Sequence, residues 1–207
     1  MSALRLELAS APLEAVPAEL AVVAFFSDER PLRGGAGRAD WRLCGALSKL
    51  VQRGVLQGVA GEAALAPSGG GIAAPRVMAL GLGRRMSFER EALEGFAREA
   101  LRRAGALRAR TLALGWPERI RLPVPEQVEA LLVGLQAGRA DAAGPERVWL
   151  CASASETAGL AEALRARAEG GAPGLLLVVS GPGAAPRAPL PAPTRPAPPG
   201  SAKLRVK

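Results

Sequence analysis

Arg76-Val-Met-Ala-Leu-Gly-Leu-Gly83 is the stretch that decides the fold of this chain. Its apolar run has the length of a buried strand and ends on glycines, which let a backbone turn sharply. The pattern then changes period. Leu93, Phe96, Ala97, Ala100 and Leu101 follow the i, i+3, i+4, i+7, i+8 spacing of one helical face. Ser87 precedes them as the expected cap, with Glu89 and Glu91 near the positive end of the helix. Thr111–Trp116 returns to a strand pattern. Strand, amphipathic helix and strand together form the unit from which parallel sheets are built.

The same alternation extends in both directions. Leu4–Leu8 alternates apolar and charged residues, which predicts a half-exposed strand, and Leu20–Phe26 is continuously apolar, which predicts a buried one. Asp28–Gly37 reads as a charged, Gly-rich loop, followed by a helix over Arg38–Arg53 that Gly54 ends. Trp41, Cys44, Leu47 and Val51 share one face of that helix. Glu62–Ala66 and Ile72–Leu82 flank Pro67-Ser68-Gly69-Gly70-Gly71, which predicts a hairpin and one antiparallel pair. Downstream, Pro125 suits a first helical turn, Val128, Leu131, Leu132 and Leu135 form an apolar face, and Gly138 is the expected stop. Arg147–Ala152 predicts a strand. Ser155 is the expected cap of a helix that Gly170-Gly171 ends, and Gly174–Ser180 predicts a last buried strand. The expected fold is α/β: three layers, α/β/α, around a mixed, mostly parallel sheet over residues 1–180.

After Gly181 the chain becomes a run of Pro, Ala and Arg with no apolar periodicity, so residues 181–207 read as a disordered, basic, partly polyproline II tail. Arg187, Arg195, Lys203, Arg205 and Lys207 lie there without an acid. They carry +5 of the net +8, leaving a body too near neutral for a dedicated nucleic-acid binder.

Composition excludes much chemistry. The chain has no histidine, asparagine or tyrosine, so it forms no Ser-His-Asp or Cys-His pair and no His-containing zinc site. Cys44 and Cys151 are too few for a Cys-only metal site, and both lie in apolar stretches, which predicts two buried, reduced thiols and a cytoplasmic setting. Met1–Ser10 has no long apolar run and reads as no signal peptide, and no stretch approaches a membrane span.

The strand Leu20-Ala-Val-Val-Ala-Phe-Phe26, the acidic turn Ser27-Asp28-Glu29 and Pro31-Leu32 resemble the N-terminal domain of the leucyl aminopeptidase family, the cytosolic two-metal peptidases. The helix ending at Gly54, then Gly58 and Gly61-Glu62, continue the resemblance. So do the strand ending in Gly81-Leu-Gly83, the helix Phe88–Gly105 and Glu129-Ala-Leu-Leu-Val-Gly-Leu. It covers about Leu20 to Gly170 and implies a macro-domain-like fold. The family's metal-binding carboxylates, lysines and arginine belong to a C-terminal domain, and none of them carries over to a residue of this sequence. The resemblance therefore implies no catalytic residue, metal or cofactor here.

Gly81, Gly83, Arg84 and Arg85 follow a strand and precede a helix, the setting in which backbone amides bind anions, although the third glycine of a dinucleotide fingerprint is missing. The alternative is a tight turn. Gly69 and Gly70 form either a ligand-covering loop or a flexible hairpin connection. Asp28, Glu29, Asp40 and Glu62 are acids that nothing in the spacing brings together. Two functional readings follow. The first is a non-catalytic interaction or scaffold module that binds a protein partner or self-associates. The second is a macro-type domain binding an ADP-ribose-like nucleotide, or nucleic acid through its basic tail.

Overall fold

The computed structural model describes residues 3–9, 11–141, 144–171 and 174–178. The basic segment 181–207 and residues 179–180 of the last predicted strand lie outside the described residues. Seven strands form one sheet: β1 (Leu4–Leu8), β2 (Leu20–Phe25), β3 (Ala63–Pro67), β4 (Arg76–Gly81), β5 (Thr111–Gly115), β6 (Arg147–Cys151) and β7 (Leu175–Val178). Their order is β3-β4-β2-β5-β6-β1-β7. Only the β3–β4 pair is antiparallel, with Leu65 opposite Met78; the other pairs are parallel. The predicted mixed, mostly parallel sheet is thus observed.

Alternation along each strand sends side chains to two separate cores. Leu20 and Val22 of β2, Leu112 and Leu114 of β5, and Leu6 of β1 face one core. That core is closed by α3 (Arg90–Ala106), α4 (Val124–Asp141) and α5 (Ala154–Glu169). Ala21, Val23, Ala79 and Ala113 face the other, which α1 (Gly34–Arg42) and α2 (Ala46–Gln52) cover together with a short 3₁₀ turn at Leu13–Ala15. Helices on both faces make the three-layer α/β/α architecture.

Several local expectations change. The single helix predicted over Arg38–Arg53 is two helices, because Cys44 (φ 54°) and Gly45 (φ 77°) adopt the left-handed conformation in succession. The break turns Trp41 and Cys44 outward, so of the predicted apolar face Leu47 is buried and Val51 half-buried. The expectation of two buried thiols therefore holds for Cys151 alone. The segment read as a loop to Gly37 is helical from Gly34. Ser87 lies in a 3₁₀ turn (Arg85–Ser87), and Glu89 precedes the first residue of α3. Ser153, not Ser155, precedes α5, and its hydroxyl donates to Glu156 at 2.6 Å.

Gly138 does not stop α4, which runs on to Asp141. A Cβ there would lie 2.6 Å from the Arg98 carbonyl, and one on Gly134 would lie 2.3 Å from that of Glu94. These glycines let the α4 backbone lie against α3. The last strand is an edge strand on which Leu176 is exposed, not a buried one.

Candidate functional site

In open α/β sheets ligands bind in the crevice beyond the carboxyl ends of the parallel strands. Here that crevice lies where the chain leaves β2, β4 and β5. The segments after these strands supply Glu29 and Arg33, then Arg85, then Trp116, Glu118 and Arg119, and the first turn of α1 supplies Gly34 and Gly35. They enclose a cleft of only about 100 Å³.

Arg85 fills much of this end. Its guanidinium pairs with Glu29 at 2.9 Å and donates to the Glu118 and Arg119 carbonyls at 3.0 and 3.3 Å. It also stacks on Phe26, 4.0 Å from the ring centroid, while Phe88 meets the same ring edge-on. The Arg85 backbone N–H donates to both carboxylate oxygens of Asp28, at 3.1 and 3.3 Å. The two acids that spacing left unrelated thus converge on one residue, correcting that expectation.

The other two acids hold backbone. Asp40 accepts from the Ser48 N–H and hydroxyl across the α1–α2 break, at 3.0 and 2.5 Å. Glu62 accepts the N–H groups of Gln57, Gly58 and Val59.

At the start of α1 a carboxylate lies close to the backbone. Gly34 (φ 54°) has the Glu118 carboxylate packed on it, 2.6 Å from where a Cβ would be, and its left-handed backbone favours glycine. Arg38, one turn further, meets the same carboxylate at 3.5 Å and Glu14 at 3.5 Å. Arg119 is itself left-handed (φ 59°), and its N–H donates to Glu156 at 3.0 Å. One group in the cleft wall lacks a partner: the indole Nε1 of buried Trp116 has no acceptor among the described residues.

The residues singled out in the sequence do not form one site. Gly81 and Gly83 pair with the crossing 58–62 segment: the Gly83 N–H donates to the Gly58 carbonyl at 2.8 Å and the Gly81 N–H to the Glu62 carbonyl at 2.8 Å. A Cβ on Gly81 would lie 2.2 Å from the Val59 carbonyl, so this glycine serves close packing. Arg85 reaches the cleft, whereas Arg84 is not among its lining residues. Gly69 and Gly70, both with positive φ, sit in the β3–β4 connection before Arg76, at the amino ends of the parallel strands and hence the opposite end of the sheet. Gly34, Trp116 and Glu118 also line the cleft, and no local pattern marks the last two. The one available signal was Arg33-Gly34-Gly35, a glycine pair ahead of a helix in a segment read as loop. Among the described residues no group of three His, Cys, Asp or Glu residues is placed to hold a metal, and no helix is long and apolar enough to cross a membrane.

The N-terminal domain of the cytosol aminopeptidase family matches residues 22–139, which contain β2 through most of α4. The chain belongs to this family. No match is found among curated proteins. Among solved structures, the Oceanobacillus iheyensis macrodomain with ADP is similar with a TM-score of 0.62 and 13% identity, covering 77% of this chain and 90% of that one. The macrodomain of Thermus aquaticus DarG is similar with a TM-score of 0.55 and 20% identity, covering 73% of this chain and 99% of that one. That of Mycobacterium tuberculosis DarG has a TM-score of 0.57 and 13% identity, covering 72% of this chain and 98% of that one. At these identities the likeness establishes the macrodomain fold for this aminopeptidase-family domain, and the fold alone.

Proposed function

We propose that this aminopeptidase-family domain is a non-catalytic interaction module that holds a protein partner or a second copy of itself and takes up no nucleotide. The observation that carries this reading is the state of the cleft. Glu29 on the Arg85 guanidinium and Asp28 on the Arg85 amide occupy two donors that an anionic ligand would use, and the Glu118 carboxylate lies against Gly34 at the start of α1. A diphosphate entering there would meet the negative charge of Glu29 and Glu118, which line the cleft. The space of about 100 Å³ is also well below the roughly 300–1,000 Å³ of small-molecule sites. The sequence offers no histidine as a general base.

One observation favours nucleotide binding instead. The Trp116 Nε1 lacks an acceptor beside the cleft, and a ligand oxygen would satisfy it. Thermal unfolding of the full chain with ADP-ribose, NAD, ATP and duplex DNA separates the two readings. No change in the transition temperature is expected. A ligand present at a hundredfold excess over its Kd stabilises by about 2.7 kcal/mol, a rise of several degrees for a domain of this size. Such a rise with ADP-ribose would overturn the closed-cleft reading.

A further inference from the structure

Residues 30–53, which hold α1 and α2, carry six cations (Arg30, Arg33, Arg38, Arg42, Lys49 and Arg53) against one acid, Asp40. The rest of residues 1–180 has sixteen cations and eighteen acids. The positive excess of the body is therefore confined to the layer covering one face of the sheet. Asp40 does not offset it at the surface, because it is buried and hydrogen-bonded to Ser48. Arg33, Lys49 and Arg53 are exposed and paired with no acid among the described residues.

The same layer exposes the largest apolar side chain. Trp41 is 66% exposed, whereas Trp116 and Trp149 are 4% and 5% exposed. Beside it lies an open hollow of about 600 Å³, lined by Leu32 and Trp41 together with Arg33, Arg38, Arg42 and Glu14. Trp and Arg are the residues that most often anchor protein interfaces.

We infer that the α1–α2 face docks an acidic, partly apolar protein segment. An apolar side chain of the segment enters the hollow against Trp41, and its carboxylates face Arg33, Arg42, Lys49 and Arg53. What selects a protein over a nucleic acid is Glu14, which lines the hollow beside Arg38. The Glu14 Oε2 also lacks a hydrogen-bond donor among the described residues. A peptide backbone brings N–H donors, whereas phosphates bring only acceptors.

This inference rests on the interaction-module reading and names the partner chemistry. The test is fluorescence anisotropy of the full chain with three fluorescein-labelled probes. These are a short peptide in which Glu pairs alternate with Leu and Phe, the same peptide with Lys replacing Glu, and oligothymidylate. The acidic peptide should bind and the basic one should not. Trp41→Ala should weaken binding about tenfold or more, while Trp41→Phe stays within about threefold. The combined Arg33→Glu, Lys49→Glu, Arg53→Glu variant should abolish binding, and added salt should weaken it. Circular dichroism should stay unchanged for these surface variants. Absence of acidic-peptide binding, binding indifferent to Trp41 and the three cations, or tighter Trp41-dependent binding of oligothymidylate would each overturn the inference. Uptake of ADP-ribose would instead overturn the closed cleft and leave the peptide result standing, so the two failures are distinguishable.

Discussion

The layer of α3, α4 and α5 and the layer of α1 and α2 cover the same sheet by different means. On the first side the helices are long, α3 and α4 meet backbone to backbone through Gly134 and Gly138, and Leu93, Ala97, Ala100 and Leu101 are fully excluded from water. On the second side two short helices are joined by a pair of left-handed residues, Trp41 stands in solvent, and cations outnumber acids six to one over residues 30–53. Burial of apolar area is the main stabilising term in folding, so the first layer holds the fold together. The second covers its half of the sheet mainly with alanine and leucine and leaves its outer face free for contact. If that face docks the proposed acidic segment, stability and recognition are divided between the two faces of one sheet.

The largest expected contrast is in thiol reactivity within the second layer. Cys44 is exposed at the α1–α2 break, while Cys151 is buried under that layer and burial pushes its thiol pKa far up. An aromatic disulfide reagent should label one thiol at once and the second only on unfolding, with rates differing by orders of magnitude. Rapid labelling of both in the native protein would mean that the α1–α2 layer opens readily.

Next come changes in the packed layer. Gly134→Val places side-chain atoms on the Glu94 carbonyl and the Ala97 methyl, and should cost about 3 kcal/mol or more in urea unfolding. Leu101→Ala should cost about 2–5 kcal/mol. Trp41→Ala, on the other face, should stay within about 0.5 kcal/mol. Equal costs for Leu101→Ala and Trp41→Ala would erase the distinction between the layers.

The smallest effect is electrostatic. Hydrogen bonds from Arg102 and then Arg103 lower the Glu99 carboxyl from 4.5 to about 2. A depressed folded-state pKa stabilises the native protein above about 4.5 and loses that contribution as pH falls toward about 2. The groups are partly exposed, so screening holds the gain below about 1 kcal/mol. Glu99→Gln should therefore lower the melting temperature slightly at neutral pH and leave it unchanged at the acid end. A deficit that persisted there would mean that Glu99 stabilises by packing.

Where the pattern is regular, the fold is legible in the residues. The i, i+3, i+4, i+7 spacing of Leu93 to Leu101 yields α3, and the apolar run Leu20–Phe26 yields β2, within one residue of the observed end. At Gly138 a contact elsewhere overrides the local preference. Gly138 suggests a helix stop by propensity, yet it is glycine because α3 passes against it. The candidate site was less legible. Arg85 was singled out, but its partners Asp28 and Glu29 lie more than 50 positions away. Glu118 reaches Arg38 across a separation of 80.

By itself the sequence determined the alternation of strands and helices, the antiparallel hairpin, the absence of histidine chemistry and the family resemblance. Periodicity and composition are local or summed properties, and no partner is needed to read them. The tertiary structure decided that Glu118 and Glu29 line the small carboxyl-end cleft beside Arg85, and that Trp41 stands beside cations on an open face. The cleft depends on the strand order β3-β4-β2-β5-β6-β1-β7, which brings the ends of β2, β4 and β5 together, and the exposure of Trp41 on the break between α1 and α2. Charge and exposure at a site are set by whichever neighbours the sheet supplies.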